Sequence, residues 1–242
     1  MVLQQHSIRN KILSTISPAD FNRLRDSLEL VSLQKGFHIA RVDKPLDGVF
    51  FPESGLGSII VVSPEGHRAE AGIFGRDAFS PTAAMVGIDI SAHDIVVQGQ
   101  GEAYRMSPTR LRECLVLCSS LREVLERYVH NLATQISFTA LSNAVHLVDE
   151  RLARWLLMCH DRSDGDEMVL THEFIALMLA VRRPSVTTSL HVLEGNGFIR
   201  AERGYVTIRN REALEEFAAD AYGKPEEEYR RLMSAPTRKV HG

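Results

Sequence analysis

The period of apolar residues changes twice along the chain. Between residues 31 and 106 they come in short runs: GVFF (48–51), SIIVV (58–62), HDIVVQ (93–98) and EAYRM (102–106). Lys35-Gly36, Asp47-Gly48, Glu53-Ser54-Gly55, Pro64-Glu65-Gly66 and Gly99-Gln100-Gly101 interrupt them. Short apolar runs between turn residues predict antiparallel strands in a sandwich or barrel. Upstream, residues 8–30 read as one or two short helices. Ser17-Pro18-Ala19-Asp20 is a start signal: serine caps, proline suits the first turn, and an acid favours the positive helix end.

From Ser107 to His160 there is no glycine and one proline. Leu121, Leu125, Tyr128, Val129, Leu132, Ile136 and Ala140 follow helical spacing and predict one long helix at about 110–144. Its narrow seam of Leu121, Leu125, Tyr128, Leu132 and Ile136 is the expected contact of a parallel two-fold dimer. A second helix is predicted at about 147–160, with Leu152, Trp155, Leu156 and Cys159 on its apolar face. Ser163-Asp164-Gly165-Asp166 ends it.

Residues 171–208 carry the most information. Thr171 caps a two-turn helix with Ile175 and Leu179 inward. Ala180-Val181-Arg182 makes a tight turn. Pro184 opens a second helix whose buried stripe is Val186, Leu190 and Leu193. Arg183, Ser185, Thr187, Thr188 and His191 fall on the other face. Gly195-Asn196-Gly197 stops the helix, and Phe198–Ile208 reads as a small hairpin turning at Arg203-Gly204. Two short helices across a tight turn, followed by a hairpin, predict a winged helix-turn-helix.

Charge sharpens that reading. The chain has 242 residues and a net charge of −3, yet residues 171–211 hold six arginines against three glutamates. The basic face is confined to this module, where arginines and small polar side chains suit phosphates and base edges. The three cysteines, Cys114, Cys118 and Cys159, are too few for an iron–sulfur cluster and fit a reducing cytoplasm. Cys114 and Cys118, four apart, could pair; small buried apolar residues are the plainer reading. The first residues lack the apolar core of a signal peptide, and no apolar run is long enough to span a membrane.

The segments PESGLGSIIVVSPEGHRAEAGIFGRDAF (52–79), DERLARWLLMC (149–159) and LTHEFIALMLAVRRPSVTTSLHVLEGNGFIR (170–200) resemble the Crp/Fnr superfamily of transcription regulators. The resemblance is to members without the cyclic-AMP or iron–sulfur signatures. It implies an α+β chain: a β jelly-roll like cyclic-nucleotide-binding domains (1–108), a long dimerisation helix (109–146) and a winged helix-turn-helix with a C-terminal tail (147–242). It also implies base contacts from Arg183, Thr187, Thr188 and His191. Phosphate contacts would come from Thr171, His172, Arg182, Ser185 and Gly204, with Arg203 beside them in the hairpin turn.

Two departures stand out. Pro184 replaces a glutamate common in the family, so the operator should differ. Ala180 replaces a usual turn glycine, which predicts slight strain. In cyclic-AMP-binding members a Gly-Glu pair holds the ribose and an Arg-Ser/Thr pair the phosphate. The matching residues here are Gly75-Arg76-Asp77 and Ile90-Ser91-Ala92-His93, with Ser91 at the phosphate arginine's place. A cyclic nucleotide is therefore not expected, and the effector is unknown; Arg68 and Arg76 are the candidates for holding some other anion.

The expected partners are double-stranded DNA, a second copy of the chain and RNA polymerase, with no cofactor, no metal and no membrane. An effector signal would rotate the DNA-binding domains about residues 144–147. The rival reading is a ligand-binding signalling module that touches no DNA, but it leaves residues 171–209 unexplained. No catalytic motif such as GxSxG, HExxH or GxxxxGK[ST] occurs in the required context, so an enzyme is not expected.

Overall fold

A computed structural model describes residues 3–236, so the last six residues of the expected tail lie outside it. The start signal works as read. The Ser17 hydroxyl accepts from the Asp20 backbone N–H at 3.2 Å. Pro18 opens α2 (Pro18–Leu24), and α1 (Lys11–Thr15) precedes it.

Residues 29–106 form two antiparallel sheets. The strands are β1 (Glu29–Leu33), β2 (His38–Ala40), β3 (Val49–Pro52), β4 (Leu56–Val62), β5 (Arg68–Phe74), β6 (Asp94–Gly99) and β7 (Gly101–Met106). One sheet runs β1-β7-β3 and the other β2-β6-β4-β5, packed as a β-roll. In the four-stranded sheet, successive side chains alternate between faces. Ile59, Phe74, Ile95 and Val97 point into the roll's core. Ile60, Ile73 and Val96 point outward, yet they too are buried. They belong to a second core, shared with Leu152, Trp155 and Met178 from the C-terminal region.

The expected long helix is two helices. α3 (Pro108–Leu117) and α4 (Ser119–Val145) break at Cys118, whose backbone leaves the helical region. No glycine or proline causes this. The buried Asp20 carboxylate accepts from the Ser120 backbone N–H at 2.9 Å and from its hydroxyl at 2.6 Å. An acid from α2 thus satisfies an orphan N–H at the start of α4 and sits at the positive end of its dipole.

The expected dimer seam also needs correction. Leu121, Leu125, Tyr128 and Leu132 are buried in the chain's own roll core. The Tyr128 ring packs against Phe79, with centroids 5.4 Å apart. Ile136 lies outside that core, 36% exposed. It lines up with exposed Ala133 and Ala140 on a second stripe, which begins at Val129, half-buried against the edge of the roll core. A helix carrying apolar residues over more than one face serves two contacts, and only the second stripe is open here.

After a break at His146-Leu147 come α5 (Val148–His160), β8 (Glu167–Val169), α6 (His172–Leu179), α7 (Arg183–Gly195), β9 (Ile199–Glu202), β10 (Tyr205–Ile208), α8 (Arg211–Ala218) and α9 (Lys224–Met233). α9 folds back along α4. The Tyr229 hydroxyl donates to the Asp77 carbonyl at 2.9 Å, and Arg127 donates to the carbonyls of Leu232, Ala235 and Pro236. No helix of the described residues is long and apolar enough to cross a membrane.

Removing the Asp20 cap leaves the Ser120 N–H buried and unpaired. Asp20→Ala should lower the unfolding free energy by about 1–3 kcal/mol in urea titrations. A variant as stable as the parent would show that the break at Cys118 does not depend on this carboxylate.

Candidate nucleic-acid interface

The C-terminal module forms around the predicted helix pair. Thr171 accepts from the Phe174 N–H at 3.2 Å and caps α6. Ala180 ends α6 with φ +50°, the left-handed conformation that glycine takes without strain. Arg182 is the N-cap of α7, and Pro184 sits in its first turn, where a missing N–H costs nothing. Val186, Leu190 and Leu193 are buried against the module's core.

The wing has three strands, in the order β8-β10-β9. Glu194 on α7 accepts from the Ala201 N–H at 2.9 Å and ties the wing to the helix. β8 was missed by sequence reasoning. Its signal is short: within Glu-Met-Val only Met168 is buried.

An open groove runs between α7 and the wing. Thr171, His172, Arg183, His191, Arg203 and Gly204 all line it. Six predicted contact residues from three separate segments therefore share one concavity. Arg182 and Thr188 are exposed near the start of α7, and Ser185 is half-buried there. Thr187 differs: its hydroxyl lies 3.0 Å from His172 Nδ1, so it is turned towards α6 rather than held outward. Arg183 pairs with Glu173 at 3.1 Å, both well exposed. A surface pair of this kind contributes about 1 kcal/mol or less, so a phosphate or base can displace it.

The candidate effector residues are otherwise engaged. Arg68 pairs with Asp94 at 3.2 Å, and Arg76 with Asp164 at 2.5 Å. The Ser91 hydroxyl donates to the His93 carbonyl at 2.7 Å. The Gly75 N–H donates to Asp77 Oδ1 at 2.9 Å. Inside the roll, a Cβ on Gly57 would lie 2.2 Å from the Phe74 ring, so Phe74 fills the space that glycine leaves. Burial raises the thiol pKa of Cys114 and pushes that of Cys118 up to about 11, which keeps both protonated and unreactive. Among the described residues no group of three or more His, Cys, Asp or Glu side chains is placed to hold a metal.

Comparison with known proteins agrees with this geometry. Residues 150–217 match the Crp-like helix-turn-helix domain family. The chain carries a Crp-like helix-turn-helix domain. Solved structures extend the likeness in fold to about four-fifths of the chain or more. A putative transcriptional regulator of the Crp/Fnr family from Eubacterium rectale superposes with a TM-score of 0.65 at 18% identity, covering 86% of this chain and 97% of that one. FixK2 from Bradyrhizobium japonicum gives 0.66 at 16% identity, over 79% and 98%. A Crp/Fnr-family transcriptional regulator from Thermus thermophilus gives 0.62 at 18% identity, over 78% and 98%. A search of curated protein sequences finds no match.

The Crp-like domain is docked on the β-roll by polar contacts that sequence reasoning missed. Arg162, at the end of α5, pairs with Asp77 at 2.8 Å, both about nine-tenths buried. Asp164 receives both Arg9 and Arg76. The deepest contact is Glu70 on β5. Its carboxyl accepts from the Ser58 hydroxyl at 2.5 Å and from the Trp155 indole N–H at 2.8 Å. Burial pushes its pKa up to about 8, against the smaller opposing effects of those hydrogen bonds and of Arg154 and Arg162.

At neutral pH the Glu70 carboxyl is therefore mostly protonated in the fold and ionised when unfolded. A raised carboxyl pKa favours the fold at low pH. That contribution is lost as pH rises from about 4.5 to about 8, with a slope of at most ~1.4 kcal/mol per pH unit. Glu70→Gln keeps a neutral side chain of the same shape and should flatten this part of the stability–pH profile, read by denaturant unfolding across that range. An unchanged slope would show that Glu70 is ionised in the folded chain.

Proposed function

We propose that the chain is a dimeric, sequence-specific DNA-binding transcription regulator that reads a pseudo-palindromic operator with α7. The observation that carries this is the groove between α7 and the wing. The exposed face of a helix fits the major groove, and a hairpin turn beside it meets the adjacent backbone. Arg183, Thr188 and His191 supply base-edge contacts, with Thr187 reaching them only if it leaves His172. Thr171, His172, Arg182, Ser185, Arg203 and Gly204 supply phosphate contacts. With Pro184 where the family often has an acid, cytosine readout by a carboxylate is excluded at that position.

The dimer is formed by the open stripe of α4. Val129, Ala133, Ile136 and Ala140 recur at spacings of four, three and four, the repeat of a two-helix seam. A two-fold axis along this stripe would set two copies of α7 about one DNA turn apart, roughly 34 Å. At promoters the DNA-bound dimer would act on RNA polymerase. Arg68 and Arg76 are not the effector's ligands in this reading, because carboxylates already hold both.

Selection of bound genomic fragments gives the operator, and two variants then test the reading. Arg183→Ala should weaken specific binding by about 1–3 kcal/mol, roughly 5- to 150-fold, and relax preference at one operator position. Equal affinity for operator and random DNA in the parent would reject sequence-specific binding. Ile136→Asp should give a folded monomer by sedimentation, because Ile136 lies outside the roll core. A dimer that survives this change does not use the open stripe.

A further inference from the structure

A cavity of about 430 Å³ lies between the end of the β-roll and the Crp-like domain. From the roll come Lys35, Ser54, Gly55, Leu56 and the turn at Gln98-Gly99-Gln100. From the other side come Cys159, the Arg162–Asp164 loop and β8 with Leu170. The volume is that of a small-molecule site, and such sites are mainly apolar with a few polar groups to orient the ligand. Leu56, Met168 and Leu170 give this one its apolar walls.

One side-chain amide opens onto the cavity without a partner in the protein. β6 alternates, so Val96 and Gln98 share the outward face. Val96 packs in the core shared with the Crp-like domain, while Gln98 reaches the cavity. The Gln98 residue is 9% exposed, and its side chain lines the cavity. Arg162 Nε, also at the wall, is buried and unpaired. An amide facing a cavity is left for water or a ligand to satisfy.

The floor is already formed. Two neighbouring turns approach so closely that a Cβ on Gly101 would lie 2.3 Å from the Ser54 carbonyl oxygen. Two of the lining charges are matched: Arg162 is paired with Asp77, and Asp164 with Arg9 and Arg76, while Lys35 and Glu167, also in the lining, are solvent-exposed. Beyond those pairs a charged ligand would meet only these two exposed groups, which are opposite in sign and screened by solvent. An amide presents one donor and one acceptor side by side, which matches the edge of a nucleobase.

We propose that this cavity is an effector site for a neutral nucleobase or nucleoside, held edge-on by the Gln98 amide between Leu56 and Leu170. Its occupancy reaches the DNA reader through one short connection. The Leu170 N–H, at the cavity wall, donates to the Gly204 carbonyl in the wing turn at 2.9 Å. β8 then pairs with β10 from Val169↔Tyr205 onward. A ligand that fixes β8 therefore fixes the wing. That consequence rests on the proposed DNA function, whereas the binding itself does not.

The test uses the full chain with neutral nucleosides and their free bases at millimolar concentration, followed by thermal melting and calorimetry. At least one should raise the melting temperature and bind with one site per chain. Gln98→Leu keeps the volume and removes the amide. It should lose about tenfold or more in affinity, while the ligand-free variant melts no lower than the parent. Leu56→Phe, which narrows the cavity from the roll side, should also lose binding. No binding by any member of the set overturns the proposal, as does undiminished binding by either folded variant. These readouts contain no DNA, so failure here is separate from failure of the operator experiment.

Discussion

The outer face of the four-stranded sheet is the constraint on which the arrangement depends. An antiparallel sheet can leave one face in water if that face is polar. This one cannot, because Ile60, Ile73 and Val96 stand on the outside. Burying three such side chains is favourable by several kcal/mol, roughly 1.5–3 for each. Trp155 of α5 and Met178 of α6 provide the cover. The Crp-like domain is therefore held on the sheet by apolar burial, and its angle is not set by the His146-Leu147 break alone. Any rotation about that break must keep these residues covered or meet the cost of wetting them.

Apolar burial fixes that the surfaces meet, but it is tolerant of small slips. Register comes from the polar groups set within the same contact. Glu70 reaches both Ser58 of its own sheet and Trp155 of α5, and Arg162 reaches Asp77. Each is buried, so a shift that broke one would strand a polar group in a dry contact. Tyr229 and Arg127 add a third tie by holding α9 against the roll and α4. These ties orient one reader with respect to α4, and through α4 with respect to any partner.

The parts legible in the sequence were those whose signals are local. Ser17-Pro18, Thr171 and Pro184 announced their helices because a cap or a first-turn proline acts within four residues. The turns of the roll were legible from glycine for the same reason. β5 was not read as a strand, because Arg-Ala-Glu-Ala carries no large apolar side chain and Gly72 separates it from Ile73 and Phe74, where both faces are buried. α9 was passed over although its ends carry a helix signature, with Glu226 and Glu227 in the first turn and Arg230 and Arg231 in the last. The break at Cys118 had no local signal, since the carboxylate that makes it is about a hundred residues away. Contacts among Glu70, Trp155, Asp77 and Arg162 are likewise products of the tertiary fold.

The displaced seam on α4 shows why periodicity alone misassigns partners. Spacing reports that a face is covered, not what covers it. Leu121, Leu125, Tyr128 and Leu132 form a good seam by spacing, and the roll takes it. A helix has room for several faces, and α4 uses one for the roll, one for α9 and α5, and leaves a third. On that third face Ala133, Ile136 and Ala140 are small or branched, so two backbones can approach closely along it. In the proposed dimer, larger side chains there would hold the two copies of α7 further apart, and the spacing of half-sites would change with them. On that proposal the size of Ala133 and Ala140 bears on the operator, although both lie on α4 and outside the helix-turn-helix.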